Sequence, residues 1–256
     1  FYLNTSINLI SFENMNLFNY FFWTVYRIWF YLISSFSWII LFPFLFVFSL
    51  KESWYPKVFK LATLWSNTVL LFMGFYWRID HIPILEKGKN YMFISNHTSM
   101  MDIMCMISIF KDHPFVFVGK IELSKVPFFG VIYKRACILV DRSNSESRKS
   151  VFFNTQRRLA DGLSICIYPE AGVPDPSVAL DKFKKGAFKI AIEHQIPIVC
   201  LTFLDNKKRF PFAFFSGKPG LLRVKYHEPQ STLGLTQSDV SSTSDRFRNL
   251  ILKDLS

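Results

Sequence analysis

From Ile28 to Leu50 the chain carries no charged residue, in the run IWFYLISSFSWIILFPFLFVFSL, and about 20 apolar residues suffice to cross the hydrocarbon core of a bilayer as a helix. The run reads as a membrane segment. It is too long for the apolar core of a cleaved signal, it begins well inside the chain, and no small-residue cleavage site follows it. Pro43 lies inside it and would kink or break a helix there, so a re-entrant or interfacial hairpin competes with a clean span. A second apolar stretch, Leu61 to Trp77, holds Ser66 and Asn67, and Lys51 and Lys57 lie between the two. The pair is expected as an N-terminal membrane-embedded helical hairpin over residues 1–77, with Trp38, Trp54, Trp65 and Trp77 at the interface. The first residue is not Met, and Met15 is a possible initiator.

Beyond Arg78 short apolar runs alternate with amphipathic stretches, which predicts an α/β domain over residues 78–256 with a mostly parallel twisted sheet flanked by helices. Candidate strands are Tyr91–Ser95, Phe115–Gly119, Ala136–Asp141, Ser164–Tyr168, Ile196–Leu204 and Leu221–Tyr226. Candidate helices are Met100–Phe110, Val126–Lys134, Glu146–Ala160, Gly186–Gln195 and Ser244–Leu255. The stretch Gln230–Ser244 is rich in Ser and Thr and is expected as a surface loop. A chain of 256 residues can bury such a core without metal or disulfide staples. Its four cysteines, Cys105, Cys137, Cys166 and Cys200, have no C-x-x-C spacing and read as small buried hydrophobes in a reducing compartment.

The formal charge is +11, which by itself fits nucleic acid, an anionic membrane surface or an acidic substrate. Between Asp181 and Lys225 ten Lys or Arg stand against three acids, a local +7. Near an anionic leaflet each such charge is worth about 1 kcal/mol, so a peripheral docking face competes with an ordinary solvated basic surface. The basic residues are not interleaved with a recognisable nucleic-acid module, so no nucleic-acid partner is expected.

The richest point for chemistry is the segment Asn96-His97-Thr98-Ser99-Met100-Met101-Asp102, where a predicted strand runs out and a helix begins. Open α/β folds place ligands at that edge of the sheet. Positions five apart on a helix differ by about 140° in direction, so His97 and Asp102 meet only if His97 precedes the helix. Asp102 in the first turn can then lean back toward the imidazole, with Ser99 or Thr98 capping. A carboxylate that accepts from one ring nitrogen fixes the tautomer and leaves the other free to take a proton. The structural alternative is that Ser99-x-x-Asp102 is a capping box and His97 a loop residue.

Over roughly Asn90 to Leu204 the sequence resembles the glycerolipid acyltransferase superfamily typified by 1-acyl-glycerol-3-phosphate acyltransferase. Asn96-His97 with Asp102 matches its first block, and Gly119-Lys120-Ile121-Glu122-Leu123 followed by Pro127-Phe128-Phe129-Gly130 resembles the stretch after it. Ala136-Cys137-Ile138-Leu139-Val140-Asp141-Arg142 looks like the second block, Tyr168-Pro169-Glu170-Ala171-Gly172 like the third, and Ile196-Pro197-Ile198-Val199 like the fourth. The resemblance implies that His97 is the general base, Asp102 its orienting partner, and Arg142 with Glu170 part of the acceptor site. Lys120 approaches the phosphate or the thioester, or is simply solvated. Much of the family continues its third block Glu-Gly-Thr-Arg, whereas Ala171, Gly172 and Val173 follow Glu170 here; Lys182, Lys184 or Lys185 is the candidate to supply the missing charge.

The expected reaction is direct transfer of a fatty acyl group from acyl-CoA or acyl carrier protein to the hydroxyl of lysophosphatidate, with backbone N–H groups near Gly119-Lys120 facing the oxyanion. Neither a metal nor a cofactor beyond the thioester co-substrate is required. The expected site is a membrane, with the catalytic domain on its cytoplasmic side. An acylated amino acid or saccharide lipid as acceptor, or a non-catalytic membrane scaffold, are the rival readings.

Overall fold

A computed structural model describes residues 17–81, 84–141, 143–175 and 177–256. The two apolar stretches form helices α1 (Leu17–Ser49) and α2 (Tyr55–Phe72). α1 continues through Pro43 without the expected break. Its 33 residues span about 50 Å at 1.5 Å per residue, more than the ~30 Å hydrocarbon core of a bilayer. Among the described residues it is the one helix long and apolar enough to cross a membrane, and Leu17, Phe21, Phe36, Ile39 and Phe44 stand exposed along it.

α2 is the other arm of the hairpin, but it is also a core helix. Pro56 sits in its first turn, where a missing N–H leaves no bond unmade. Phe59, Thr63, Ser66 and Leu70 recur at helical spacing and are buried. Phe59 packs edge-on to Phe115 at 5.0 Å, and the Tyr55 hydroxyl donates to the Phe115 carbonyl at 2.8 Å. Of the tryptophans expected at an interface, Trp38 and Trp65 pack their rings against each other at 5.1 Å, and Trp65 Nε1 donates to the Ser34 carbonyl at 3.1 Å.

The apolar stretch expected to stay helical to Trp77 stops at Gly74, whose φ of +69° suits a residue without Cβ and where a Cβ would lie 2.9 Å from Pro219. The next residues form strand β1 (Phe75–Ile79). Helix and strand were indistinguishable by apolarity alone.

The remaining strands are β2 (Met92–Ser95), β3 (Phe115–Lys120), β4 (Ile138–Val140), β5 (Ser164–Cys166), β6 (Ile198–Phe203) and β7 (Gly220–Gln230). They form one sheet in the order β1-β7-β6-β2-β5-β3-β4. Every neighbouring pair is parallel except β6 with β7. The fold class is thus the expected one. Helices α3 (Met101–Ile109), α4 (Phe129–Ala136), α5 (Ser145–Ala160), α6 (Gly186–Glu193), α7 (Asn206–Arg209) and α8 (Val240–Leu255) connect and follow the strands. β2 lies centrally and is buried along its whole length, as an apolar run between two parallel neighbours must be.

Two expectations are corrected. The Ser/Thr-rich stretch is not a plain surface loop: β7 runs to Gln230, Thr232 is buried with its hydroxyl on the Ile196 carbonyl at 2.9 Å, and α8 begins at Val240 behind a Thr236–Asp239 capping box. Its small hydroxyls bond backbone, which composition cannot distinguish from solvation. Nor is the basic stretch one solvated face. Arg223 makes a two-pronged bond to Asp205 at 2.7 and 2.8 Å, Lys225 pairs with Asp254 at 2.7 Å, Arg209 donates to the carbonyls of Leu221 and Pro219, and Lys207 reaches the Val178 carbonyl.

Candidate active site

The register of the parallel strands brings distant residues level. Phe93 on β2 pairs with Cys166 on β5, Cys166 with Phe117 on β3, and Lys120 at the end of β3 with Val140 on β4. Continuing along each chain from those pairs, His97, Glu170, Ile121 and Asp141 reach the same C-terminal edge of the sheet. Asn96 fixes the exit from β2. Its side-chain amide donates to the Phe203 carbonyl at 3.0 Å and accepts from the Phe203 N–H at 2.8 Å, so the side chain extends the ladder to β6 while the backbone turns away.

His97 lies outside α3 and Asp102 in its first turn. One carboxylate oxygen of Asp102, Oδ2, accepts the backbone N–H of Thr98 at 2.7 Å and of Ser99 at 2.8 Å, and stands 3.1 Å from His97 Nδ1. Oδ1 accepts from the Asn206 side-chain amide at 2.7 Å. The carboxylate is fully buried, and it is these charge-assisted bonds that let a negative group remain away from water. Capping and pairing with His97 are therefore the work of the same carboxylate. Ser99 Oγ accepts from Met101 N–H and donates to the Phe210 carbonyl at 2.6 Å; Thr98 Oγ1 is buried and does not serve as the cap.

The imidazole is held from its sides as well. Its face stacks on Tyr168 at 4.2 Å with 13° between the planes, and Phe212 meets it edge-on at 5.8 Å. With Nδ1–H directed at Asp102, Nε2 is the nitrogen that can take a proton, and the buried carboxylate stabilises the imidazolium that results. The side chain is 16% exposed.

Glu170 is differently placed from an open acceptor residue. It is buried, Oε1 accepts the backbone N–H of His97 at 2.7 Å, and Oε2 accepts that of Asp181 at 2.9 Å. Burial pushes its carboxyl above the usual range, while the two amide bonds pull the other way. It clamps the end of β2 to the loop before α6. Lys120 is exposed at the end of β3, and two strand spacings, about 10 Å, separate β3 from β2. Gly119 is required because a Cβ there would fall on the Tyr133 hydroxyl. Arg142 lies outside the described residues. Of the three candidate replacement lysines, Lys185 points its ammonium to Ser241 on α8 at 2.6 Å.

Sequence reasoning missed Asn206, Tyr168, Phe212 and Arg27. Asn206 follows β6 at the same sheet edge as His97, a position that could have marked it. Arg27 borders the uncharged run of α1, and its guanidinium is buried under the Pro211–Gly217 loop. It donates to the carbonyls of Pro211, Ala213 and Phe214 and lies 3.9 Å from the Phe210 ring centre. The single charge of the long helix thus fastens the loop that carries Phe212 against His97.

A profile of the Acyltransferase family matches residues 78–203, the segment that contains β2, β5, His97, Asp102 and Glu170. Over 163 residues the chain is 34% identical to the acl-2 protein of Caenorhabditis elegans, covering 62% of this chain and 57% of that one. Over 200 residues it is 28% identical to 1-acyl-sn-glycerol-3-phosphate acyltransferase beta of Homo sapiens, covering 75% of this chain and 66% of that one. The chain thus spans less than two thirds of the length of these curated relatives. The crystal structure of the 1-acyl-sn-glycerophosphate (LPA) acyltransferase PlsC from Thermotoga maritima superposes with a TM-score of 0.75 at 19% identity, over 94% of this chain and 98% of that one, a likeness of fold. By its motif blocks, their assembly at one sheet edge and the family match across that edge, residues 78–203 form an acyltransferase-family domain.

Proposed function

We propose that the chain transfers a fatty acyl group from the thioester of acyl-CoA or acyl carrier protein to the free hydroxyl of 1-acyl-sn-glycerol 3-phosphate, making phosphatidic acid for phospholipid biosynthesis. The observation that carries this reading is the buried Asp102 carboxylate holding Nδ1 of a partly exposed imidazole at the sheet edge. The named activity of the human relative supports the choice of acceptor.

In this mechanism Nε2 of His97 takes the proton of the acceptor hydroxyl as its oxygen attacks the thioester carbonyl carbon. The tetrahedral intermediate collapses, the carbon–sulfur bond breaks, and the imidazolium returns the proton to the departing thiolate. No acyl-enzyme is formed. Asp102 orients the ring and Glu170 positions the backbone that carries it. Arg142 is assigned to the acceptor site, and Lys120 to the acceptor phosphate or the thioester. α1 holds the domain at a membrane, on the cytoplasmic side, where a lysolipid can present its hydroxyl without leaving the leaflet. No nucleic acid takes part.

The test is an acyl-transfer assay on membranes containing the wild-type chain or His97→Ala, with lysophosphatidate, an acylated amino acid and a saccharide lipid as acceptors and both thioester classes as donors. Lysophosphatidate is expected to be the preferred acceptor. Equal use of a phosphate-free acceptor would overturn that choice, and activity in the His97 variant near the wild-type level would overturn the mechanism.

A further inference from the structure

At the opposite, N-terminal edge of the sheet, the turn between α1 and α2 meets the C-terminal ends of α4 and α5 around a cavity of about 290 Å³. Its wall includes five cationic residues, Lys51, Lys134, Arg135, Arg157 and Arg158, and one carboxylate, Glu52. Glu52 is directed to Arg157 at 3.5 Å, and both of those side chains are more than half exposed.

Arg158 is the unusual member. It is 4% exposed, its Nη2 donates to the Arg135 carbonyl at 2.7 Å, and its guanidinium carbon lies 5.6 Å from the Tyr55 ring centre. Its Nε is buried with no hydrogen-bond partner among the described residues. Among the described residues no carboxylate pairs with Arg158, since Glu52 is directed to Arg157, and a buried guanidinium left so, with a donor unused, is costly unless an anion meets it. A planar fork of N–H donors suits the oxygens of a phosphate group. The ring of lysines and arginines around it supplies the rest of the counter-charge.

The cavity also has an apolar border. Phe48 and Leu50, where α1 ends, line it, and Leu50 is 60% exposed alongside Phe44 and Val47. A ligand with a phosphate head and acyl chains can place the first among the cations and the second along α1.

We propose that this cavity binds the phosphate group of an anionic phospholipid, at a site separate from His97 and on the other edge of the sheet. The lipid headgroup joins the helical hairpin to α4 and α5 and sets how the domain rests on the membrane surface. The site does not depend on the reading of the reaction, since none of its residues lies at the catalytic edge.

The experiment titrates short-chain phosphatidylglycerol, and separately inorganic phosphate, into the detergent-solubilised full chain. The variants are Arg158→Met and Arg135→Gln, with Lys87→Gln as an exposed control of equal charge loss. Binding of phosphatidylglycerol is expected to weaken at least fivefold in Arg158→Met and Arg135→Gln and to stay unchanged in Lys87→Gln. Arg135 is exposed, so its variant keeps the test valid if Arg158→Met fails to fold. Weakened binding of inorganic phosphate in the same two variants would support a phosphate site that also takes the free anion. Binding that falls equally in all three variants, or in none, overturns the proposal.

Discussion

Two histidine–aspartate pairs with buried carboxylates lie among the described residues, and by distance the second is the tighter. His97 Nδ1 stands 3.1 Å from Asp102, and His227 Nε2 stands 2.6 Å from Asp254; the imidazoles are 16% and 14% exposed. They differ in what else the carboxylate meets. Asp102 has only neutral donors besides the histidine, two backbone amides and Asn206. Asp254 is shared with the Lys225 ammonium at 2.7 Å and the Thr202 hydroxyl at 2.6 Å, so its charge is already balanced by a cation. They differ in place too. His97 follows the end of β2, whereas His227 lies within β7, opposite Cys200. A pair becomes a usable base when its carboxylate keeps its charge for the imidazole and the free nitrogen faces the edge where substrates approach.

The largest effect that can break this comparison is a paired substitution. His97→Ala is expected to lower kcat by about 10³-fold, within the range for loss of a general base, and His227→Ala to leave kcat within about twofold. Steady-state acyl-transfer rates of the two folded variants decide it, and comparable losses in both would erase the distinction. A smaller effect sharpens the role of neutral partners. Asn206→Asp sets a second carboxylate beside Asp102 Oδ1, where the amide now stands at 2.7 Å. Two like charges at that distance cannot both ionise. We expect kcat to fall by roughly 10-fold to 100-fold with KM little changed, read from the same assay across pH.

The second pair has a signature of its own. Burial pushes the Asp254 carboxyl up, but bonds from Lys225, Thr202 and His227 outweigh it and hold the group below the ordinary carboxylate range. Its folded-state value is therefore below the unfolded value of about 3.9. The stability it contributes is present above that pH and is lost as pH falls through the folded value. Urea unfolding is expected to show a shallower acid limb in Asp254→Asn than in the wild type, with acyl transfer at neutral pH retained. The smallest effect concerns the turn next to Glu170. Ala171 has φ +58°, a left-handed conformation that costs a residue with Cβ about 1 kcal/mol, and the family pattern has glycine there. Ala171→Gly is expected to raise stability by roughly 0.5–1 kcal/mol, measured by the unfolding midpoint.

Much of this arrangement was legible along the chain. The apolar runs that became β2, β3, β5 and β6 are short, bounded and followed by amphipathic stretches, so burial between parallel neighbours shows in composition. The His97–Asp102 relation was also legible, since it spans one local turn and obeys helix geometry. β1 was not, because Phe75, Tyr76 and Trp77 continue the apolarity of α2 and their pairing partner lies far along the chain in β7. Glu170 was read as an acceptor contact because its block identifies it without saying that both oxygens are taken by backbone amides. Arg27 went unread, because its bonds to the Pro211–Gly217 carbonyls exist only once helix and loop are packed together.

Sequence by itself determined the class of fold, the apolar first helix and the residues that can pass a proton, because each of these depends on periodicity or on spacing within a single turn, and its ordered blocks carried the family resemblance. Tertiary structure decided which of two His–Asp pairs stands at the sheet edge, which carboxylate is a clamp, and which basic residues are spent on internal partners. Those outcomes depend on strand order and register, which bring together groups separated by most of the chain, and no local pattern encodes the neutral company that leaves Asp102 its charge.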